Sequence, residues 1–296
     1  MPEPMAYTLT IWGARGSIPT PGAMTTRYGG NTPCVAVERL DTGDDVRVVI
    51  LDAGTGVRPL GNELLERSAN GLHADLLLSH THWDHIQGLP FFGPFFSEGN
   101  AIRIWGSKQG KVDLGEILRQ QMHPVVFPVP IDQLAADLQV EHVGPGSFEI
   151  DGFQVRAIRL RHPGNTLAYR LTPVGGGASF AFVTDNELGP GGDYDVGPDW
   201  RSKFVEFLAG VDVLIHDAMY RPDDLDRHRG WGHSSWEEAI DLAVEARVER
   251  LVLFHHRPEH DDAAMDGVVE AAQSAVETRE LRLDVIAATE GMKLTL

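Results

Sequence analysis

A stretch of six residues constrains the fold of this chain more than any other feature. His80-Thr81-His82-Trp83-Asp84-His85 carries four side chains of metal-binding type and directly follows the apolar run Ala74–Ser79. Its first two histidines are two residues apart, so they point the same way in an extended segment. The aspartate and the last histidine follow in a tight turn with helical bias. Because imidazole and carboxylate are common ligands of zinc and iron-group metals, the stretch predicts a metal site at the end of a buried strand.

Predicted strands and helices occur in both halves of the chain. Strands fill the first third, with a hairpin loop at Asp41–Asp45, and the last third alternates helices with strands. Helices are predicted at Val57–Arg67, Val112–Met122, Trp200–Leu208, Ser235–Ala246 and Asp262–Glu277. This order favours a layered α/β sandwich over a Rossmann sheet. Because no low-complexity linker or short repeat interrupts the chain, we expect one domain over residues 1–296.

The composition points to a soluble acidic protein. The formal net charge is −18, from 43 acidic and 25 basic residues, which argues against nucleic acid or an anionic membrane as partner. A small anionic substrate remains compatible, because bound metal ions invert the local potential. The single cysteine, Cys34, excludes an intramolecular disulfide. With no signal-peptide pattern at the N-terminus and no apolar run of membrane-spanning length, we expect a cytoplasmic protein.

The chain resembles the metallo-β-lactamase superfamily, because His80–His85 reproduces that family's HxHxDH motif in full. The resemblance continues along the chain. Asp52, in Leu-Asp-Ala-Gly-Thr-Gly, matches the strand-ending aspartate that orients the family's metal site from behind the ligands. His162 matches the family's third histidine, Asp185 its bridging carboxylate and His255 its last histidine. The resemblance implies a four-layer αββα sandwich.

The resemblance also implies two divalent metal ions, most simply zinc, with manganese or iron as alternatives. By the family pattern the first ion is held by His80, His82 and His162, the second by Asp84, His85 and His255, and both by Asp185 with a bridging water or hydroxide. His256 is an alternative to its neighbour His255. We expect His255 to be the ligand because it directly follows an apolar run.

Two further segments resemble the ribonuclease Z-like and cyclic phosphodiesterase-like branch. Ile215–Tyr220 looks like that branch's His-Glu-Ala-Thr segment, with Asp217 in place of the glutamate, and Gly232–Ser235 looks like its Gly-His-Ser-Thr segment. The branch places this histidine, here His233, beside the scissile phosphate, with the acidic residue orienting it.

Local sequence supports a role for His233 independently. Ser234 or Ser235 can cap the following helix, with Glu237 or Glu238 completing a capping box. His233 would then stand at a helix N-terminus, where backbone N–H groups favour an anion. A histidine there can stabilise charge on a phosphoryl oxygen or protonate a leaving alkoxide. An ordinary exposed histidine before a helix is the structural alternative.

These features predict hydrolysis of a phosphodiester. A metal-bridging hydroxide would attack phosphorus in line, with Asp84, His233 and Asp217 as catalytic residues. Ribonuclease Z carries a long arm that grips tRNA between its third histidine and bridging aspartate, and residues 163–184 are too few for such an arm. We therefore expect a small substrate, such as a cyclic nucleotide or cyclic phosphate, and no nucleic acid.

Other functions use the same ligand set. A lactone or thioester hydrolase would need the metal site but not the pair Asp217–His233. A tRNA 3′-end processing endonuclease and, least of all, a non-catalytic metal-binding sensor are further alternatives. A homodimer is an alternative to a monomer by resemblance alone. The phenylalanine-rich segment Leu89–Phe96 is either a wall for a base or organic leaving group, or packing in the core or a dimer interface.

Overall fold

Two seven-stranded β-sheets form the centre of this computed structural model, which describes residues 6–39, 46–68 and 70–296. The predicted hairpin loop Asp41–Asp45 lies outside the described residues. In chain order the strands are Tyr7–Gly13 (β1), Cys34–Arg39 (β2), Val46–Leu51 (β3), Leu72–Leu77 (β4), Ala101–Gly106 (β5), Asp137–His142 (β6), Gly146–Ile150 (β7), Phe153–Arg159 (β8), Leu167–Pro173 (β9), Phe180–Val183 (β10), Val213–Asp217 (β11), Arg250–Phe254 (β12), Asp284–Ala287 (β13) and Lys293–Thr295 (β14).

Each sheet is antiparallel on one side and parallel on the other. The first has the order β14-β1-β2-β3-β4-β5-β6, and β3 to β6 pair in parallel. The second has the order β13-β12-β11-β10-β9-β8-β7, and β10 to β13 pair in parallel. Strands β10 and β11 are buried along their whole length, which explains the apolar sequences Phe180–Val183 and Val213–Ile215.

Helices cover the outer faces of both sheets. They are Val57–Arg67 (α1), Trp83–Ile86 (α2), Leu114–Gln121 (α3), Trp200–Leu208 (α4), Trp236–Glu245 (α5) and Asp262–Thr278 (α6). Apolar residues of α1 and α3 pack on the first sheet, and those of α4, α5 and α6 pack on the second.

The strand alternation shows how the layers are built. Val49 and Leu51 of β3 join the core between the two sheets, whereas Val48 and Ile50 join the core beneath α1 and α3. The core between the sheets also takes Phe182 and similar residues of the second sheet. This arrangement confirms the predicted four-layer αββα sandwich.

A few elements differ from the sequence-based prediction. Strand β7 was not predicted, because it begins at a glycine, lies at a sheet edge and is mostly exposed. Helix α3 begins at Leu114, two residues later than Val112, because the Asp113 side chain accepts a hydrogen bond from the Gly115 N–H and caps the helix there. Among the described residues, no helix combines the length and apolar character needed to cross a membrane.

The parallel strands of both sheets direct their carboxyl ends to one region. Asp52 directly follows β3, and His80 lies just beyond β4. From the other sheet, Asp185 follows β10, Asp217 ends β11 and His255 directly follows β12. Loops at the carboxyl ends of parallel strands therefore bring together residues that are far apart in sequence.

Candidate metal centre

Two groups of candidate ligands share Asp185. One contains His80, His82, His162 and Asp185, and the other contains Asp84, His85, Asp185 and His255. Within each group the ligand atoms lie within 4.8 Å of one another, and every member except His82 is buried. The structure thus brings together all seven residues that the sequence predicted as metal ligands.

The carboxylate of Asp185 faces both groups. Its Oδ2 lies 3.7 Å from His80 Nε2 and 3.5 Å from His162 Nε2. Its Oδ1 lies 3.2 Å from His85 Nε2 and 3.2 Å from His255 Nε2. One oxygen for each group is the arrangement that a bridging carboxylate requires.

The donor set fits two divalent cations. Among the described residues, the buried Nε2 atoms of His80 and His85 have no hydrogen-bond partner. Burial lowers the pKa of His82 and lowers that of His162 to about 4, so both imidazoles are neutral and offer a lone pair. Neutral imidazoles and ionised carboxylates are the forms that bind metal.

Asp52 orients His85 from behind. Asp52 Oδ2 accepts a 2.7 Å hydrogen bond from His85 Nδ1, which leaves Nε2 as the nitrogen facing the ligands. The same carboxylate accepts the Ser79 N–H at 2.7 Å and the Ser79 hydroxyl at 2.8 Å. Asp52 is fully buried, and burial raises the pKa of its carboxyl against the opposing effect of these donors.

Two glycines lie directly against the imidazoles of candidate ligands. A Cβ on Gly16 would lie 2.6 Å from the ring of His255, and a Cβ on Gly232 would lie 2.2 Å from His162 Nδ1. The Gly232 carbonyl accepts the Nδ1 proton of His162 at 2.9 Å. The loops that carry these glycines therefore fix the rings of the two histidines.

His233 and Asp217 form a buried pair beside both ligand groups. His233 Nδ1 lies 2.7 Å from Asp217 Oδ2, and the His233 ring lies 5.2 Å from that of His162 and 5.0 Å from that of His255. Burial opposes protonation of His233, but Asp217 outweighs it and raises the pKa of His233 to about 9. The direct hydrogen bond occupies Nδ1 and leaves Nε2 for another partner.

The helix after His233 begins as the sequence predicted. Ser235, not Ser234, is the N-cap of α5, and its side chain and that of Glu238 form a reciprocal capping box. The Ser234 hydroxyl instead donates to the carbonyl of Asn186. Both serines therefore hold the loop on which His233 lies.

Sequence reasoning missed several contributors to this region. Glu187 is fully buried and accepts hydrogen bonds from the Gly230 and Gly232 N–H groups and the Tyr194 hydroxyl. Its position two residues after Asp185 is the one signal in the sequence. The Ser17 N–H donates to Asp84 Oδ2 at 2.8 Å, a contact that no motif indicates.

The geometry favours His255 over His256 as the candidate ligand. His255 lies in the ligand group, whereas His256 Nε2 donates to the Ala288 carbonyl at 2.8 Å and faces away. Arg15, a basic residue in the glycine-rich loop after β1, is buried and donates to the carbonyls of Gly29 and His260. Arg15 therefore holds the loop together and does not face the site.

Comparison with known proteins places this geometry in a family. The model of the beta-lactamase superfamily domain matches residues 47–256. Ribonuclease Z of Halalkalibacterium halodurans is 27% identical over 240 residues, which cover 68% of this chain and 75% of that protein. Ribonuclease Z of Haloarcula marismortui is 24% identical, with 98% of this chain and 96% of that protein covered.

Solved structures share the fold over nearly the whole chain. Unliganded yeast PDE1 has a TM-score of 0.71 at 14% identity, with 99% of this chain and 100% of that one covered. The short form of human tRNase Z has a TM-score of 0.61 at 19% identity, with 97% and 98% covered. At these identities the likeness shows the fold.

The expectation that nucleic acid is not a partner is wrong. It depended on the net charge of −18 and on the short segment 163–184, yet the relatives that match most of this chain are ribonucleases. Net charge describes the whole surface, whereas the potential at a site is set locally and is inverted by bound cations. The matched family, its fold and the clustered ligands together carry the identification: this chain belongs to the metallo-β-lactamase superfamily, as its histidine motif predicted, and is a metal-dependent hydrolase related to ribonuclease Z.

Proposed function

We propose that this protein is a dinuclear metal-dependent phosphodiesterase whose leaving group is assisted by His233. The observation that carries the proposal is the pair of Asp217 and His233, joined at 2.7 Å beside two ligand groups that share Asp185. A carbon-ester hydrolase needs the metal ligands but has no need of this pair. The ribonuclease Z relatives, by their name, act on a phosphodiester polymer.

The residues of the candidate site would have distinct roles in binding metal and orienting the ligands. His80, His82 and His162 would hold one ion, Asp84, His85 and His255 would hold the other, and Asp185 would contact both. Two divalent ions bound there supply Lewis acidity that activates water and stabilises negative charge on the phosphoryl group. Asp52 fixes the orientation of His85, and the Ser17 N–H fixes Asp84.

His233 would act as a proton donor. Asp217 accepts its Nδ1 proton, so Nε2 is the nitrogen that faces a substrate. The backbone N–H groups of Asn186 and Met219 also donate to Asp217, at 3.2 and 2.9 Å, and keep that carboxylate in place. A proton delivered from Nε2 to the departing alkoxide lowers the barrier of P–O bond cleavage.

Two substrate classes are candidates. A small phosphodiester is supported by residues 163–184, which form the antiparallel pair β9 and β10 inside the second sheet and leave no protruding arm. Processing of tRNA 3′ ends is supported by the match to ribonuclease Z over most of both chains. Both classes present the same bond to the same residues.

The proposal is tested with metal-loaded protein on a panel of substrates. Bis(p-nitrophenyl) phosphate, a 2′,3′-cyclic nucleotide, a precursor tRNA, a lactone and a thioester are compared with zinc or manganese added and metal content measured on the same sample. Turnover of phosphodiesters is expected. Turnover of the lactone or thioester without any phosphodiester hydrolysis would sink the proposal, and the precursor tRNA separates the two substrate classes.

A separate substitution tests the role of His233. His233→Ala is expected to keep its metal and to lower kcat on a 2′,3′-cyclic nucleotide, whose departing alkoxide needs a proton, at least about 100-fold, which is the range of general acid catalysis. His228→Ala is the matched control, because His228 lies on the same loop, where its ring stacks on Tyr220. Unchanged turnover in His233→Ala would show that another group protonates the leaving oxygen.

A further inference from the structure

A cavity of about 560 Å³ lies against the metal-binding loop. Its walls come from the loop itself, from the segment Pro90–Phe91 and from helix α3 with the residues that follow it. The proposed function does not use it, although the sequence offered Leu89–Phe96, which includes Phe91, as a wall for a base or organic leaving group. Its volume lies within the range of small-molecule sites in proteins.

The cavity adjoins the accessible side of the candidate metal centre. Thr81 and Trp83, which line it, are the chain neighbours of His82. His82 is the one exposed member of its ligand group. A substrate whose phosphate is held at the ligands can therefore extend over this loop into the cavity.

The residues that line the cavity include the aromatic side chains of Trp83, Phe91 and Phe127, and none of the lining residues is charged. Phe91 and Phe127 meet edge to face, with ring centroids 5.6 Å apart. Trp83 is 80% exposed and Phe91 57% exposed, although aromatic rings are normally buried. Exposed rings gathered at one cavity indicate a flat apolar ligand that covers them.

The same cavity offers neutral hydrogen-bonding groups. Gln87 and Gln120 line it together with Thr81, and an amide can both donate and accept. The Gln87 amide is held in place because its Nε2 donates to Thr32 Oγ1 at 3.0 Å. These aromatic rings and neutral polar groups match a ligand with a flat ring. Such a ring can stack on the aromatic side chains while its edge donates and accepts hydrogen bonds.

We propose that this cavity binds a nucleobase of the substrate, next to the phosphate held at the metal ligands. The inference deepens the proposed phosphodiesterase function and depends on it for the location of the phosphate. A base has a flat uncharged ring, and its edge carries both hydrogen-bond donors and acceptors, so it fits the lining of the cavity. It is supplied equally by a mononucleotide or by an RNA chain, and the experiment separates these sources.

Binding is measured first, without any reaction. Metal-loaded protein is titrated with adenosine, which has no phosphate, and with ribose as the control ligand, followed by tryptophan fluorescence and calorimetry. Adenosine is expected to bind and ribose not to bind. Phe127→Ala is expected to weaken adenosine binding at least fivefold, because stacking on an aromatic ring is lost. Phe96→Ala is the matched control, because Phe96 is 43% exposed, lies near the lining residue Phe91 in sequence and does not itself line the cavity.

Kinetics then tests the link between cavity and metal centre. Phe127→Ala is expected to raise KM for 2′,3′-cyclic AMP at least fivefold and to leave glycerol cyclic phosphate, which has no base, unchanged. A larger penalty with a precursor tRNA than with the mononucleotide would identify RNA as the source of the base. Equal effects on substrates with and without a base would overturn the inference.

Two other outcomes are decisive. Absence of all phosphodiester turnover would defeat the proposed function, whereas adenosine titration would still show whether the cavity takes a base. If sedimentation shows a dimer that Phe127→Ala converts to monomers, and adenosine does not bind, the cavity is an interface between two copies of the chain and the inference is wrong.

Discussion

Asp52, Asp185 and His255 have left-handed backbone conformations, with φ of 58°, 32° and 59°. Non-glycine residues in this region cost on the order of 1–3 kcal/mol each and persist only where surrounding contacts hold them. Each of the three lies within two residues of the end of a parallel strand. The tight turn there redirects the chain and brings the side chain toward the other candidate ligands.

At the same scale, the candidate ligands were predictable from the sequence, but the residues that hold them in place by hydrogen bonds were not. The motif His80–His85 and the strand-end positions of Asp185 and His255 are visible in the sequence. Ser17 and Glu187 act through contacts across long sequence separations, which leave no periodic or motif signal. Arg15 is a similar case, because its hydrogen bonds to distant carbonyl oxygens are not indicated by any motif.

Gly16→Ala tests how tightly His255 is held. The added methyl group would lie 2.6 Å from the imidazole, so the ring must move away from Asp84 and Asp185. We expect the variant to fold and to lose about half of its bound metal, as measured by mass spectrometry of the purified protein. Gly22→Ala is the control in the same loop, because a Cβ there meets no atom within 4 Å. Equal metal content in both variants would contradict the placement of His255 at one metal.

Among the elements, long buried strands and amphipathic helices were the most predictable. Helices α1 and α4 have the predicted bounds, because the spacing of their apolar residues indicates a buried face. Strand β7 was missed because an exposed edge strand buries little and needs no such pattern. The helix α2 has only four residues and is set by the loop that carries the candidate ligands.

The loop before α5 is the element that joins Glu187 to the candidate site. Glu187 holds the Gly230 and Gly232 N–H groups, the Gly232 carbonyl holds His162, and His233 follows directly. Glu187→Gln replaces one acceptor oxygen with an amide that cannot accept from these donors. We expect kcat to fall about 10- to 100-fold, as is typical when the support of a metal ligand is removed.

Two comparisons make the Glu187 prediction specific. Glu237→Ala, at an exposed position on α5, is the matched control and should retain full activity. Tyr194→Phe removes only the hydroxyl donor of Glu187 and should have a smaller effect than Glu187→Gln. A loss of thermal stability in Glu187→Gln without any loss of kcat would mean that the carboxylate supports the loop but not the catalytic geometry.

At the scale of the whole molecule, the layered architecture followed from the order of elements and the family motif. The substrate class did not follow in the same way. A net charge of −18 suggested that nucleic acid is excluded, but charge summed over a surface carries no information about its distribution around one site. One domain over residues 1–296 is our proposal, supported by a continuous core between the two sheets.

The candidate metal site spans both sheets, so metal should stabilise the whole fold. His80, Asp84 and His85 belong to loops of the first sheet, whereas Asp185 and His255 follow strands of the second. Without metal, buried carboxylates and imidazoles face one another across the junction and lose their strongest partner. A ligand at 1,000 times its Kd stabilises a fold by about 4 kcal/mol, and for a chain of this size each kcal/mol shifts Tm by about 2–4 °C.

Removal of metal with a chelator is therefore expected to lower Tm by on the order of 10 °C. Calorimetry measures this shift, and added zinc or manganese should reverse it. Asp185→Ala serves as the control, since a protein that no longer binds metal should show almost no response to the chelator. A wild-type protein with the same Tm before and after verified metal removal would show that the ions do not join the two sheets.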